Sequence, residues 1–146
     1  MTVLGRVFLV LALIATFAAT PVAAQPLSTL PAAEQGAIRQ VIEAQIGAFR
    51  SDDGERAFGY ASPSIRRIFR SAENFMAMVR NGYQPVYRPR AVRFGDLVED
   101  GTALVQKVHV TGPDGAPALA LYVMEKQADG TWRINGCMLA EPENEV

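Results

Sequence analysis

The residues whose types could bind a ligand are concentrated in one stretch, NGYQPVYRPRAVRFG, at residues 81–95. It holds three arginines and two tyrosines and no acidic residue. Arginine offers several N–H donors to carboxylate or phosphate groups, and tyrosine combines an apolar ring with a hydroxyl. We therefore expect a site for a small anionic or apolar ligand. Its candidate residues are Tyr83, Tyr87, Arg88, Arg90 and, from a later strand, Gln106.

The same stretch also has a purely structural interpretation. In a continuous strand, Arg88 and Arg90 would share a face with Phe94 and point toward the covered side of a sheet. An unpaired guanidinium there costs several kcal/mol, so each would need a carboxylate or a bound anion. Pro85 and Pro89 lack amide donors and favour an irregular or edge segment. We favour surface positions for both arginines.

Charge is spread unevenly along the chain. Residues 66–93 carry seven arginines against one acid, Glu73, whereas the rest of the chain after residue 24 carries six basic and fourteen acidic residues. This asymmetry indicates either an anionic partner or a solvated basic surface. Nucleic acid is not expected as that partner, because the arginines come without an aromatic platform on which bases could stack.

The sequence offers few residues for metal binding or for nucleophilic catalysis. The sequence has one histidine, His109, and one cysteine, Cys137, so no zinc-ligand spacing exists. A hydrolase would need the same histidine, and no GxSxG motif accompanies it. GPDGAP at 112–117 is typical of a hairpin turn and not of a phosphate loop. We predict no metal, no cofactor and no catalytic residue. Cys137 is expected to be buried and free, with pairing between chains as the alternative.

Acid–base catalysis would need a carboxylate inside a pocket, facing a proton donor. Asp96 and Glu125 are the candidates, because each shares strand parity with apolar residues. Both lie near strand ends, where a solvated carboxylate is the ordinary case. A buried carboxylate near a residue such as Gln106 would favour an enzyme, and exposed carboxylates would remove its base.

The first 24 residues have the layout of a secretory signal peptide. Met1–Arg6 carries one positive charge, and the apolar run Val7–Ala19 follows it. Val22 and Ala24 are the small residues that precede a cut after Ala24. An apolar run of 13 residues is too short to span a bilayer, which takes about 20. We expect cleavage and not an uncleaved anchor, and a periplasmic or secreted protein with one domain over residues 25–146.

Helical periodicity dominates the first half of that domain. Apolar residues at steps of three and four predict a first helix over AAEQGAIRQVIEAQIGAFR, which ends near Arg50 at the turn SDDG. A second, short helix is expected over Glu55–Tyr60. Ser62, with a proline after it, predicts the start of a third helix. Ser71 is the expected cap of a fourth, AENFMAMVR, which Asn81–Gly82 would close in a left-handed C-cap.

Strand patterns fill the second half, at about residues 86–98, 102–111, 116–127 and 131–139, separated by short glycine-containing loops. The predicted class is α+β, with N-terminal helices packed on a curved four-stranded antiparallel meander. ALALYVM at 118–124 is apolar on both faces, so the sheet face away from the helices also needs cover. A second copy of the chain, in a homodimer, and the C-terminal tail are the two candidates.

Four motifs, AFRSDD, FGYASP, MVRNGY and WRINGC, carry a family resemblance. Together they resemble the domain-of-unknown-function family 4864 of small exported bacterial proteins. The order of helices and sheet is similar to the cone fold of the ketosteroid isomerase-like and nuclear-transport-factor-like superfamily. That resemblance implies a pocket between helices and sheet, but no activity, because the same cone hosts enzymes, ligand binders and assembly modules.

We therefore expect an exported small α+β protein of unknown activity that acts as a non-enzymatic ligand-binding or accessory protein. The first alternative is a small cofactor-free isomerase or lyase that uses the cone pocket, with Asp96 or Glu125 as its base. The further alternative is a dimeric interaction module that acts through the sheet face.

Overall fold

A computed structural model describes residues 27–144, so the predicted signal peptide at residues 1–24 lies outside the described residues. Within that range helices come first and strands second, which confirms the predicted α+β class. The helices are α1 (Ala32–Arg50), α2 (Gly54–Gly59), α3 (Pro63–Phe69), α4 (Ala72–Gly82) and α5 (Gln84–Tyr87). The strands are β1 (Ala91–Asp100), β2 (Ala103–Thr111), β3 (Pro117–Lys126) and β4 (Trp132–Ala140).

Short polar side chains begin the central helices, as the sequence predicts. The hydroxyl of Ser62 accepts the amide of Ile65 at the start of α3, and Ser71 accepts the amide of Asn74 at the start of α4. Each bond pairs an amide that has no partner within the first turn of its helix. The predicted caps at Ser62 and Ser71 are therefore confirmed.

The predicted left-handed cap at Asn81–Gly82 is wrong. Both residues belong to α4, and neither has a positive φ. The chain turns at Tyr83, whose amide still donates to the carbonyl of Val79, and α5 begins at the next residue. The helix therefore passes directly into a short second helix and needs no left-handed residue to end it.

The four strands form an open, curved antiparallel sheet in the order β1-β2-β3-β4. Glycines with positive φ lie in the three hairpin loops: Gly101 at +61°, Gly115 at +83° and Gly130 at +85°. Residues with a Cβ rarely adopt this conformation, so these positions fix the register of each hairpin. The first strand begins at Ala91 and not at residue 86, because α5 and Pro89 occupy the preceding segment.

The core lies between α1 and the sheet face that carries Val108, Ala120 and Tyr122, which we call the inner face. Ile38 and Ile42 of α1 are fully buried in it. Burying one such side chain stabilises a fold by about 1.5–3 kcal/mol, so this contact is a principal source of stability.

A second connection joins the helices to the last strand. Ala61 and Ile134 form an isolated parallel bridge between the α2–α3 junction and β4. The amide of Ser62 donates to the carbonyl of Ile134, and the amide of Ile134 donates to the carbonyl of Tyr60, at 2.8 and 2.9 Å. The Ser62 hydroxyl adds a bond of 2.7 Å to the side-chain oxygen of Asn135. This connection fixes α3 beside β4.

The opposite, outer face of the sheet is partly covered by the chain itself. Lys107, Leu121 and Met138 lie side by side on that face. The ammonium group of Lys107 contacts the carboxylate of Glu143, so the segment after β4 crosses the outer face. Met138 stays 55% exposed. The homodimer through this face remains a prediction, and sedimentation of the purified protein tests it.

Within residues 27–144, none of the helices combines the length and the apolar character that crossing a membrane requires.

Candidate functional site

A cavity of about 370 Å³ lies between the helices and the inner face of the sheet, close to the connection at Ile134. Its size falls in the range of about 300–1,000 Å³ that is usual for small-molecule sites. Its lining comes from α1, α3, α4, α5, β3, β4 and the segments between them, and it includes no acidic, lysine or arginine residue. The lining residues are Gln45, Phe49, Ala61, Ile65, Ile68, Phe69, Phe75, Met78, Val79, Tyr83, Val86, Tyr122, Ile134, Gly136 and Cys137.

Aromatic packing shapes one wall of the cavity. The ring centroid of Phe75, in α4, lies 6.2 Å from that of Phe49, 5.3 Å from that of Phe58 and 5.7 Å from that of Phe69. These distances lie within the range of favourable aromatic pairs. The cluster holds α1, α2, α3 and α4 together on the helical side, and it leaves open space between itself and β3 and β4.

Ile68 marks the mouth of the cavity. Its side chain contributes to the lining and is nevertheless 69% exposed to solvent. Ile65 and Phe69, on the same face of α3, also line the cavity and are half-buried. The apolar interior therefore continues to the protein surface along α3.

Tyr122 is a residue of the lining that carries a buried polar atom. The residue is 1% exposed, and its hydroxyl has no hydrogen-bond partner. The thiol of Cys137, its neighbour across the β3–β4 pair, lies beside it but does not meet it at hydrogen-bond geometry. Burial, together with the neighbouring Cys137, raises the pKa of Tyr122 well above its usual value, so the hydroxyl stays neutral.

Cys137 is half-buried, so the predicted full burial of this residue is wrong. Burial raises the pKa of its thiol to about 12, and the nearby Tyr122 hydroxyl offsets this only in part. Because the thiolate is the nucleophilic form, this thiol is not an activated nucleophile. The carbonyl of Cys137 accepts a hydrogen bond of 3.1 Å from the hydroxyl of Tyr83, and the side-chain amide of Gln45 donates to the carbonyl of Ala57 at 3.1 Å. The other polar groups of the lining are thus partly engaged within the protein.

The five predicted binding residues lie in four separate places. Tyr83 lines the cavity. Gln106 is fully buried in β2 away from it, and its amide nitrogen donates to the carbonyls of Gly95 and Lys107, both at 2.9 Å. Gly95 belongs to an irregularity in β1, where the register shifts between Phe94 and Leu97. The position of Gln106 indicates that it supports this irregular segment of the sheet.

Tyr87 and Arg88 lie together on the surface around Asp52. The carboxylate of Asp52 accepts from the Tyr87 hydroxyl, and it lies 2.8 Å from a guanidinium nitrogen of Arg88 and 3.5 Å from one of Arg80. The hydrogen bond from Tyr87 is the main cause that lowers the pKa of Asp52, and both arginines add to it. The Arg88 guanidinium also stacks at 4.0 Å from the Tyr87 ring centroid. Arg88 is therefore paired within the protein.

Arg90 lies apart from this cluster and is exposed, and its backbone amide donates to the carbonyl of Thr111 at 2.8 Å. Of the five predicted binding residues, the structure brings only Tyr87 and Arg88 together.

The two candidate carboxylates lie outside the cavity. Asp96 is exposed, and Glu125 accepts a hydrogen bond of 3.0 Å from the side chain of Gln127. Among the described residues neither carboxylate forms a hydrogen bond with Gln106 or Tyr122; only the backbone carbonyl of Asp96 accepts from the Gln106 amide, at 3.4 Å. In residues 27–144, no group of three or more histidine, cysteine and acidic side chains could hold a metal ion.

A second depression, of about 460 Å³, lies around Val41, Tyr60 and Trp132 and is more open to solvent. The Trp132 ring nitrogen donates to Glu34 at 2.8 Å, so its buried polar atom is satisfied. The cavity at Tyr122 is therefore the better candidate site.

The fold and the cavity define a small α+β protein whose helices enclose an apolar space against one face of an open antiparallel sheet. The chain belongs to the family described as Domain of unknown function (DUF4864), whose model matches residues 31–146. The match covers α1 to β4 and confirms the family that the four motifs predict. No curated protein and no solved structure matches the chain.

Proposed function

We propose that the protein is a non-enzymatic binding protein that holds a small, uncharged and mainly apolar molecule in the cavity between helices and sheet. The unpartnered hydroxyl of Tyr122 is the observation that carries this proposal. A buried hydroxyl without a partner costs roughly 1–3 kcal/mol. The hydroxyl exposes less than 1 Å² in the ligand-free protein, so a ligand atom would bond to it after a small shift of neighbouring side chains and would recover much of that cost. Cavities with an apolar lining and a few polar groups are the usual form of small-molecule sites.

The lining favours an uncharged ligand over an anion. A carboxylate in this cavity would lose its hydration and meet no lysine or arginine side chain of the lining. The arginines that the sequence suggests for an anion do not line it, since Arg88 pairs with Asp52 and Arg90 is exposed. Of the two ligand types considered from the sequence, the cavity suits the apolar one.

The groups around the cavity support binding more than catalysis. Tyr122 and Cys137 are both neutral near neutral pH, because their ordinary pKa values of 10.0 and 9.0 lie above it and burial raises both further. General acid–base catalysis needs a group whose pKa lies near the working pH. Asp96 and Glu125, the bases of the isomerase alternative, do not line the cavity.

We further propose that the protein acts after export, in the periplasm or outside the cell. The signal-peptide pattern of residues 1–24 supports export. The similarity to the cone-fold superfamily supports a pocket in this position, although that fold alone specifies no ligand. Cell fractionation with N-terminal sequencing of the recovered protein tests this part, because a chain that still begins at Met1 contradicts cleavage after Ala24.

Three probes of nearly equal shape test the binding proposal by calorimetric titration. Acetylnaphthalene carries a carbonyl, isopropenylnaphthalene replaces it with a hydrocarbon group, and naphthoate replaces it with a carboxylate. We expect the ketone to bind about five- to tenfold more tightly than the hydrocarbon, by its hydrogen bond to Tyr122. Naphthoate should bind at least roughly tenfold more weakly than the ketone, because its charge is desolvated without a partner.

Two variants test whether the probes bind in the cavity. Tyr122→Phe should remove the preference for the ketone and keep the affinity for the hydrocarbon. Tyr87→Phe, a matched change on the surface, should leave all three affinities as they are. If none of the three probes binds at millimolar concentration, the cavity is not a ligand site and the proposal is wrong.

A further inference from the structure

We propose that α3 docks the mouth of the cavity on a membrane surface that contains anionic phospholipids. This inference rests on the proposed function: a protein that carries an apolar molecule exchanges it with a medium that dissolves that molecule, such as the interior of a lipid bilayer. The docking surface consists of the exposed side chains of α3 and its C-cap, Arg66, Arg67, Ile68 and Arg70.

The apolar part of this surface is Ile68. It is 69% exposed, although it belongs to the lining of the cavity. An isoleucine at the surface is common, but one that continues an apolar interior to the solvent marks an opening. Inserted into the apolar part of a bilayer, Ile68 would leave water and would join the cavity to the lipid.

The charged part of this surface is a group of three arginines without a carboxylate partner among the described residues. They are Arg66, Arg67 and Arg70, and all three are exposed. Arg67 donates to the hydroxyl of Ser64 at 3.1 Å, which leaves its charge in place. By contrast, Arg80 and Arg88 of the basic segment share the carboxylate of Asp52, which offsets one of their two charges.

The arrangement on α3 fits a helix at a lipid interface. Ile65, Ile68 and Phe69 share one face of α3 at steps of three and four residues, with Ile68 at its exposed edge, and Arg66 and Arg67 lie on the solvent side of the helix. Long arginine side chains can reach phosphate groups while their stems contact apolar surface. Clusters of basic residues beside exposed apolar side chains are typical of binding to anionic membranes. Nucleic acid would pair with the arginines but would leave Ile68 in water, so a lipid surface accounts for both parts.

Cosedimentation of the purified protein with vesicles tests the proposal. One set of vesicles is phosphatidylcholine alone, and the other contains phosphatidylglycerol as well. We expect binding to the anionic set, with loss of binding at high salt. Each arginine near an anionic surface contributes about fivefold in affinity, so Arg66→Gln/Arg67→Gln should weaken binding roughly 25-fold. Ile68→Ser should weaken it roughly tenfold by removing apolar area.

A matched control uses Arg39→Gln/Arg90→Gln, which removes the same charge from exposed positions outside α3. We expect this control to bind anionic vesicles within a few-fold of the unchanged protein. Equal loss in both double variants would show attraction by net charge alone and would overturn docking by α3. Absence of binding to the anionic vesicles, or stronger binding to an RNA homopolymer or an acidic peptide than to vesicles, would also overturn it.

The same variants separate this inference from the proposed function. Acetylnaphthalene should bind both double variants as it binds the unchanged protein, because no arginine lines the cavity. Vesicle binding without probe binding would reject the cavity as a site and keep the docking surface. Probe binding without vesicle binding would keep the cavity as a ligand site and reject the docking surface on α3.

Discussion

The hydroxyl of the buried Tyr122 and the thiol of the half-buried Cys137 lie side by side on adjacent strands, and both residues line the same apolar cavity. The two groups do not form a hydrogen bond of good geometry with each other. Folding therefore places two polar groups where water is scarce. This pair is the polar end of the cavity, and it is the part of the molecule in which small substitutions are most informative.

Tyr122→Phe should stabilise the ligand-free protein. The change removes a hydroxyl that lost its water partners on folding and gained no replacement, so we expect the free energy of unfolding to rise by about 1 kcal/mol. Tyr83→Phe is the matched control with the opposite sign, because its hydroxyl donates to the carbonyl of Cys137. That variant should lose about 1 kcal/mol. Urea denaturation measures both, and a loss of stability in Tyr122→Phe would show that its hydroxyl has a partner after all.

Cys137 should make stability depend on pH in the alkaline range. Its pKa is raised from 9.0 to about 12 in the folded protein, so the neutral thiol favours folding fully only below the unfolded value. As pH rises above 9.0, the unfolded chain loses this proton while the folded one keeps it. Stability should fall with a slope that approaches about 1.4 kcal/mol per pH unit from this group.

The control for this prediction is Cys137→Ala. Its free energy of unfolding should lack the part of the alkaline pH dependence that comes from the Cys137 thiol. Denaturation curves at several alkaline pH values give the difference between the two proteins, in which other titrating groups cancel. Dithiodipyridine offers an independent measurement, since it should react with Cys137 only after unfolding. Rapid reaction in the folded protein would contradict the high pKa of the thiol.

Asp52 should contribute to stability through its charge. Asp52→Asn is the suitable change because residue 52 has φ +53°, a conformation that asparagine tolerates well. We expect a small decrease in the midpoint of thermal unfolding near neutral pH. The pKa of Asp52 is lowered in the folded state, so its contribution exists above the ordinary value of 3.8 and is lost as pH falls through the folded value. The two proteins should therefore converge in strong acid, and a constant difference down to that range would contradict the assignment to charge.

Gln106→Leu should destabilise the sheet. The amide of Gln106 donates to the carbonyls of Gly95 and Lys107 inside the protein, and leucine would leave both without that donor. Leucine also removes the side-chain oxygen of Gln106, which is buried without a partner, so we expect a net loss of about 1 kcal/mol in the free energy of unfolding. Binding of acetylnaphthalene to the folded variant should be unchanged, because Gln106 does not line the cavity. A matching loss of binding would instead place Gln106 in the site.

Local chemistry of the chain was sufficient to predict most of the fold. The hairpin glycines, the serine caps of α3 and α4 and the apolar spacing of α1 each depend on neighbouring residues, which a sequence displays directly. The start of β1 was misplaced because α5 contains residues that also suit a strand, QPVY. Only the contacts of that segment with the rest of the protein decide between the two.

The candidate site was harder to predict for the same physical reason. Tyr122 lies in ALALYVM, where both faces are apolar, so strand parity does not show that its hydroxyl faces a cavity. Arg88 finds its partner Asp52 across 36 residues, and that pairing is invisible in the basic stretch itself. A hydroxyl-bearing residue within an otherwise apolar strand was the available signal for Tyr122.

The backbone connection between Ser62 and Ile134 has a consequence for how the protein is made. Two backbone hydrogen bonds of the α2–α3 junction are made with the last strand, so they cannot form until the end of the chain has emerged from the ribosome. Contacts this distant in sequence slow folding, because a long loop must close first. A chain that completes its fold so late is suited to translocation in the unfolded state, which is the form in which a signal peptide of the proposed kind would deliver it.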